Sequence, residues 1–371
     1  MKIKKLLIVP SDRMVESHTD NPIILKMAKY LKSAFRRGNL LYDGEMQFYG
    51  DIPLVLGKEN VYVLGKIHKH YFLNTVPDEC PYPSCRKTPM PTFVSTEQLE
   101  STIKVVDAII VSSRASKRGT TAIQKAKAND IPVAVIDFED HESNYGTTDI
   151  KKFLCRGFTY GREFDLYFKK DLPLGYKTDT ILPLCPIPVR PESYEFRKAA
   201  QETDIFYSGR KRIERCQPER EEIIQIIQQN FNNTLIFEHD SRDSFISIKN
   251  YWTNLSKCKI GLSPSGRVWD SFRHCEVGLT EKTVLLAPKP YVETVEPHLK
   301  DGKNAILYDI KEIDGRYHLK NSNDIVEKIK YYLSNNAIRE KMSMAYYKDV
   351  MSGHTVKARS QYIIKSLELI S

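Results

Sequence analysis

The stretch VDAIIVSSRASKRGTTAIQKAKANDIPVAVIDF, residues 106–138, decides the fold. Its two ends, 106–112 and 131–138, are near-continuous runs of Val, Ile and Ala, and between them 119–129 has the pattern of an amphipathic helix. A strand with one wet face alternates polar and apolar residues. Unbroken apolar runs joined through a helix therefore predict parallel strands covered on both faces. Working outward, the same strand, loop and helix order opens the chain at 6–10, 11–21 and 22–37, so residues 1–185 read as a doubly wound α/β domain. Residues 40–100, rich in Pro, Tyr and Gly, are less regular and read as extra strands or a substrate loop.

At 184–191 the sequence becomes LCPIPVRP, where proline removes donors and disfavours helix, as in an interdomain connector. With 186–203 as linker, a second α/β cycle follows over 204–350. Strands are predicted at 204–209 (DIFYSG), 234–238, 259–263 and 283–287, and helices at 219–230, 251–256 and from 323 onward. Neither half carries GxGxxG or a P-loop. Two consecutive α/β domains of this kind bind ligands beyond the carboxyl ends of their strands.

The chain has 371 residues, 41% hydrophobic and 28% charged, which fits a globular protein and excludes a disordered or fibrous one. The net charge of +9 favours an anionic partner such as a nucleotide, a nucleic acid or an acidic membrane surface. The apolar run after Met1 is cut by Pro10, Ser11 and Asp12, short of a signal peptide, and no run approaches a membrane span. A cytoplasmic location is expected, with peripheral membrane association compatible with the charge. Seven scattered cysteines then read as reduced thiols. Cys80 and Cys85, with His68 and His70 upstream, match zinc spacing poorly, and no metal site is expected.

Chemistry concentrates in KIGLSPSGRVWDSFRHCEVGLTEKTVLLAPKPYVETVEPHLKDGKNAILYD, residues 259–309. Arg273 and Glu276, three apart on a helix, share a face: the cation can meet phosphate oxygens while the carboxylate accepts ribose hydroxyls. A solvated intrahelical ion pair has the same spacing. Arg210 and Lys211 lie in a Ser-Gly-Arg-Lys-Arg loop directly after a strand, where cations can neutralise a diphosphate leaving group. Ser263, Ser265 and Gly266 form a second small-residue turn whose amides could face phosphate.

These segments resemble the donor half of GT-B glycosyltransferases of the group-1 type, CgeB-like bacterial members included. The resemblance rests on a strand ending in small residues, Arg273-x-x-Glu276, the apolar strand 284–286 and the Asp-Gly-x-Asn turn of 301–308. The tail HTVKARSQYIIKSL at 354–367 is similar to the closing helix of that group. It implies two Rossmann-like domains facing across a cleft, with the helix of 351–371 packing back on the first. It also implies a nucleotide-diphosphate sugar as donor, UDP-sugar foremost, with no further cofactor, and a glycan or other hydroxyl compound as acceptor. Val268 stands eight before Glu276, a departure from the Glu-x7-Glu spacing of many retaining members. Inversion is therefore expected.

An inverting transfer needs a base for the acceptor hydroxyl, and a carboxylate is the usual supplier. Asp137, Glu139, Asp140, His141 and Glu142 cluster after the strand of 131–138. Phe138-Glu139-Asp140 resembles the Phe-x-Asp of phage DNA β-glucosyltransferases, where the aspartate is catalytic, which makes Asp140 the first choice. Asp137 and His141 follow. His18, in the loop after the first strand, is a further candidate base. The phage likeness keeps a DNA-modifying glucosyltransferase acting on hydroxymethylated bases as the second reading, and a non-catalytic nucleotide-binding protein of the same fold is the third.

Overall fold

The computed structural model describes residues 1–12, 50–65, 90–138, 163–191, 200–210, 216–239 and 246–370. Among them the first sheet contains β1 (Leu6–Val9), β2 (Val61–Leu64), β3 (Thr92–Val94), β4 (Ala108–Ser112), β5 (Val133–Asp137), β6 (Leu166–Lys169) and β7 (Ile181–Pro183). Three helices accompany these strands: α1 (Ile52–Leu56), α2 (Leu99–Ile103) and α3 (Ser116–Lys127). The spatial order is β3-β2-β1-β4-β5-β6-β7. β1 runs parallel to both neighbours, with Leu6 opposite Val61 on one side and Ala108 on the other. Every residue of β1, β4 and β5 is buried, as the unbroken apolar runs require. β2 and β3 are the strands hidden in the irregular region after residue 40. They are only four and three residues long, too short to stand out from their Pro-rich surroundings.

The second sheet contains β8 (Thr203–Arg210), β9 (Thr234–His239), β10 (Cys258–Leu262), β11 (Val284–Pro288) and β12 (Ile306–Tyr308), in the order β12-β11-β10-β8-β9. All its pairings are parallel. Its helices are α4 (Glu219–Asn230), α5 (Ile248–Lys257), α6 (Phe272–Gly278), α7 (Ser322–Ser334) and α8 (Asn336–Gly353). The two-residue period of a strand sorts the core between its faces. Ile205, Tyr207, Val284, Leu286, Ile306 and Tyr308 pack on one side, and Phe206, Leu285, Ala287 and Leu307 on the other. Strand order reverses between β8 and β10, and at such a switch point the loops diverge and leave a crevice beyond the carboxyl ends.

A two-stranded hairpin, β13 (Ile310–Ile313) and β14 (Arg316–Leu319), follows β12. Its turn is Asp314-Gly315, both with positive φ, 51° and 74°. That geometry is natural to Asp-Gly hairpin turns. The last helix is α9 (Val356–Ile370).

The described chain divides into two compact units. One consists of the described residues within Met1–Phe138, Leu154–Lys169 and Arg359–Ser371, the other of those within Lys170–Ala358. The end of the closing helix thus belongs with the first unit, as expected. There Glu368 Oε1 accepts from the Ile3 amide at 3.1 Å, and Tyr362 meets Phe168 edge-on. No helix among the described residues is long and apolar enough to cross a membrane.

Candidate functional site

Of the side chains singled out in the second half, Arg273 and Glu276 lie beside the switch point between β8 and β10. β8 ends in Ser208, Gly209 and Arg210, β10 runs into Ser263-Pro264-Ser265-Gly266, and α6 starts nearby. Arg273, in the first turn of α6, donates from Nε to the Ser208 carbonyl over 2.7 Å and from Nη1 to Ser271 Oγ over 3.1 Å. Its guanidinium stands over the Tyr207 ring, 5.0 Å from the centroid. The cation is thereby fixed against the end of β8, where the sequence placed the phosphate site.

Glu276, one turn further along α6, is only 4% exposed, so the solvated ion pair is not what the three-residue spacing encodes here. Tyr251 on α5 donates to its Oε2 over 2.6 Å. Burial raises the Glu276 pKa, while the Tyr251 bond and the Arg273 charge pull it back. The pair therefore offers a cation at a strand end and, beside it, a carboxylate held by a single phenol. That set can receive an anion next to a diol.

The turn after β10 corrects one expectation. The Ser265 amide donates to Glu219 Oε1 over 2.7 Å and the Gly266 amide to the Val268 carbonyl over 2.8 Å, so neither amide faces outward for phosphate. Residues at the start of α4 hold this turn. Arg220 Nε donates to the Ser265 carbonyl at 2.9 Å, and the amide and Nε2 of Gln217 donate to the Gly266 and Arg267 carbonyls at 2.9 and 2.6 Å. Glu219 is fully buried, also accepts from the Tyr308 hydroxyl at 3.1 Å, and has its pKa pushed up to about 7 by burial. Ser263 Oγ lies 2.6 Å from His274 Nδ1. Burial, helped by Arg273, lowers the His274 pKa to about 3 and keeps that ring neutral.

Sequence reasoning missed Tyr207, Glu219 and Tyr251. A Glu at the first position of a helix reads as favourable dipole pairing, and the tyrosines are two among 21. Only the tertiary approach of α5 to α6, and of α4 to the turn after β10, gives these side chains a task.

In the first unit Asp137 ends β5 and is fully buried. It accepts from the Tyr167 hydroxyl at 2.7 Å and Ser113 Oγ at 3.3 Å, and pairs with the equally buried Lys169 Nζ at 3.3 Å. That environment suits an internal counterion better than a base that must reach an acceptor. Asp140, His141, His18 and Lys211 lie outside the described residues, as do the side chain of Arg210 and the Cys80, Cys85, His68 and His70 group.

Among the described residues one cluster has metal-ligand chemistry: Asp171, Cys185 and Asp270, all buried, with ligand atoms within 4.8 Å of one another. Cys185 Sγ is 3.4 Å from Asp171 Oδ1 and 3.2 Å from Asp270 Oδ2, the Ile187 amide donates to Asp270 Oδ1, and Lys170 pairs with Asp171. Burial first, then the two carboxylates, pushes the Cys185 thiol well above its usual range. A protonated thiol donating between carboxylates, with one ammonium alongside, accounts for the arrangement.

No protein-family model matches the chain, and no curated protein sequence matches it. Solved structures do. Anabaena Alr3699/HepE in complex with UDP superposes with a TM-score of 0.53 at 9% identity, over 98% of this chain and 100% of that one. The same protein with UDP-glucose gives 0.50 at 10% identity, over 98% and 99%. A glycosyltransferase from Rickettsia africae ESF-5 gives 0.51 at 12% identity, over 100% and 99%. At these identities the likeness is one of fold, and the fold is GT-B: two Rossmann-like α/β units with a closing C-terminal helix.

Proposed function

We propose that the chain is a GT-B glycosyltransferase that moves a hexose from a nucleotide-diphosphate sugar, UDP-sugar foremost, to a hydroxyl of a glycan, lipid-linked or similar acceptor. One observation carries the reading: Arg273 is fixed on the Ser208 carbonyl at the β8/β10 switch point, with the Glu276 carboxylate one helical turn away. A preorganised cation at a strand end can stabilise a departing diphosphate, the largest charge developed in glycosyl transfer. The carboxylate can accept both hydroxyls of a ribose. Arg210 and Lys211, next in sequence after Gly209, are proposed to add charge for the diphosphate, and the turn of Ser265 and Gly266 is held by residues at the start of α4. Asp140 is the proposed base for inversion, with His18 behind it in that role, while the buried Asp137 is read as the counterion of Lys169. The solved GT-B structures that held UDP or UDP-glucose support this donor chemistry.

The test is a calorimetric and thermal-shift screen of UDP, GDP, ADP and CMP and their sugars, with and without divalent cation. Ligand that binds the folded chain raises its melting temperature by mass action. A selective hit lost in Glu276→Ala supports the site. Absence of any nucleotide binding would remove the reading.

A further inference from the structure

Tyr207 belongs to β8 two residues before Gly209, so the two occupy the same face of the strand. The ring does not stand off the sheet. A Cβ built on Gly209 would lie 2.2 Å from the Tyr207 hydroxyl oxygen and 2.7 Å from its Cζ, so the phenol reaches along the strand toward the carboxyl edge and ends beneath Gly209. The same point is 2.7 Å from Arg273 Nη2, so hydroxyl and guanidinium crowd one spot over the glycine. Only a residue without a side chain leaves room there for the phenol and the guanidinium. The hydroxyl is fully buried and has no hydrogen-bond partner among the described residues.

Packing does not explain that hydroxyl. The ring fills the core beside Ile205, Leu262 and Tyr308, and a phenylalanine would fill it as well without burying an unsatisfied O–H. The unsatisfied donor is instead placed at the one edge of the sheet where a cation is already fixed.

We infer that Tyr207 is a donor-binding residue: its hydroxyl, together with the Arg273 guanidinium, receives one phosphate oxygen of the nucleotide diphosphate at the carboxyl end of β8. This rests on the glycosyltransferase reading above and deepens it, assigning the diphosphate rather than the base or the sugar to the Tyr207–Gly209–Arg273 corner. An oxygen paired with Arg273 is delivered beside a buried O–H that has nothing else to donate to. The phenol also discriminates, since it can donate to phosphate while Phe in its place cannot.

The experiment compares wild type with Tyr207→Phe by calorimetry, using UDP, inorganic pyrophosphate and uridine, alongside the melting temperature of each ligand-free protein. Loss of a hydrogen bond to a charged group weakens binding by about tenfold or more. That loss is expected for UDP and pyrophosphate, with uridine unchanged and the ligand-free variant at least as heat-stable as wild type. Tyr207→Leu, which removes ring and hydroxyl together, should fall in stability yet show the same split between pyrophosphate and uridine in its folded fraction. Equal pyrophosphate affinity in wild type and Tyr207→Phe would overturn the inference and leave the nucleotide-sugar reading standing. Failure of the wild type to bind any of the probes would remove both.

Discussion

The Tyr251 hydroxyl donates to Glu276 Oε2 over 2.6 Å, and so a side chain of α5 favours the ionised form of a buried carboxylate on α6. Burial favours the neutral acid. The Tyr251 bond and the neighbouring Arg273 oppose it, and the balance leaves the pKa raised.

Tyr251→Phe should therefore raise the Glu276 pKa further, because it removes the stronger of the two opposing influences. If the ionised carboxylate accepts ribose hydroxyls, uridine and UDP should lose roughly tenfold in affinity, the loss growing from neutral to mildly acid pH. Pyrophosphate, which has no ribose, should bind the variant as it binds wild type. Calorimetry at the two pH values reads both, and a parallel loss of pyrophosphate would mean that Tyr251 supports the fold of the site rather than Glu276.

Two buried groups give the second unit opposing pH dependences. The Glu219 pKa, about 7 in the fold, lies above its ordinary 4.5, so between those values the native state keeps a proton that the unfolded chain has lost. Stability then falls as pH rises through that window, by up to about 3 kcal/mol. His274 acts in reverse. Its pKa of about 3 lies below the ordinary 6.5, the unfolded chain takes up the proton first, and stability rises with pH across that range. The two offset each other between pH 4.5 and 6.5. Glu219→Gln keeps an acceptor for the Ser265 amide and deletes one side of this opposition. Its urea-unfolding stability should climb through that interval where the wild type is nearly flat, and a flat profile in the variant would count against the buried-carboxyl assignment.

Asp137→Asn tests an internal ion pair. The substitution leaves the buried Lys169 ammonium without the Asp137 charge, and removing one partner of a buried pair costs about 3–5 kcal/mol. Urea unfolding should report that loss. Adding Lys169→Met should recover much of it, because an apolar side chain of similar volume needs no counterion. Unchanged stability in Asp137→Asn would return Asp137 to the list of candidate bases.

The parallel strands were legible because burial on both faces writes itself as unbroken apolar runs: β4, β5, β10 and β11 all lie within a residue or two of where the sequence placed them. Helix α4 matches its predicted span of 219–230. β2 and β3 were not legible, being shorter than the window in which periodicity can be judged. The β13–β14 hairpin carried a readable signal, Asp314-Gly315 between alternating residues, that the family likeness of the preceding turn overshadowed. Arg273 and Glu276 were legible because helical spacing is local. Their partners Ser208 and Tyr251 were not, since 65 and 25 residues separate the bonded pairs and no local rule specifies such contacts.

The base and the donor carboxylate should separate kinetically. Asp140 follows β5 by three residues in the sequence, and Glu276 belongs to α6 beside the β8/β10 switch point. Asp140→Asn keeps the shape and loses the proton acceptor, so turnover should fall about 10²- to 10⁴-fold with UDP affinity unchanged. Glu276→Ala should instead weaken UDP by about tenfold or more and lower turnover at saturating donor much less. Steady-state rates with a UDP-sugar, set beside calorimetric UDP affinities for both variants, resolve the two. Near-normal turnover in Asp140→Asn would remove it as the base. A product that retains the donor's anomeric configuration, read from its proton coupling, would remove the need for any such base, because retention does not require a residue to deprotonate the acceptor from the opposite face.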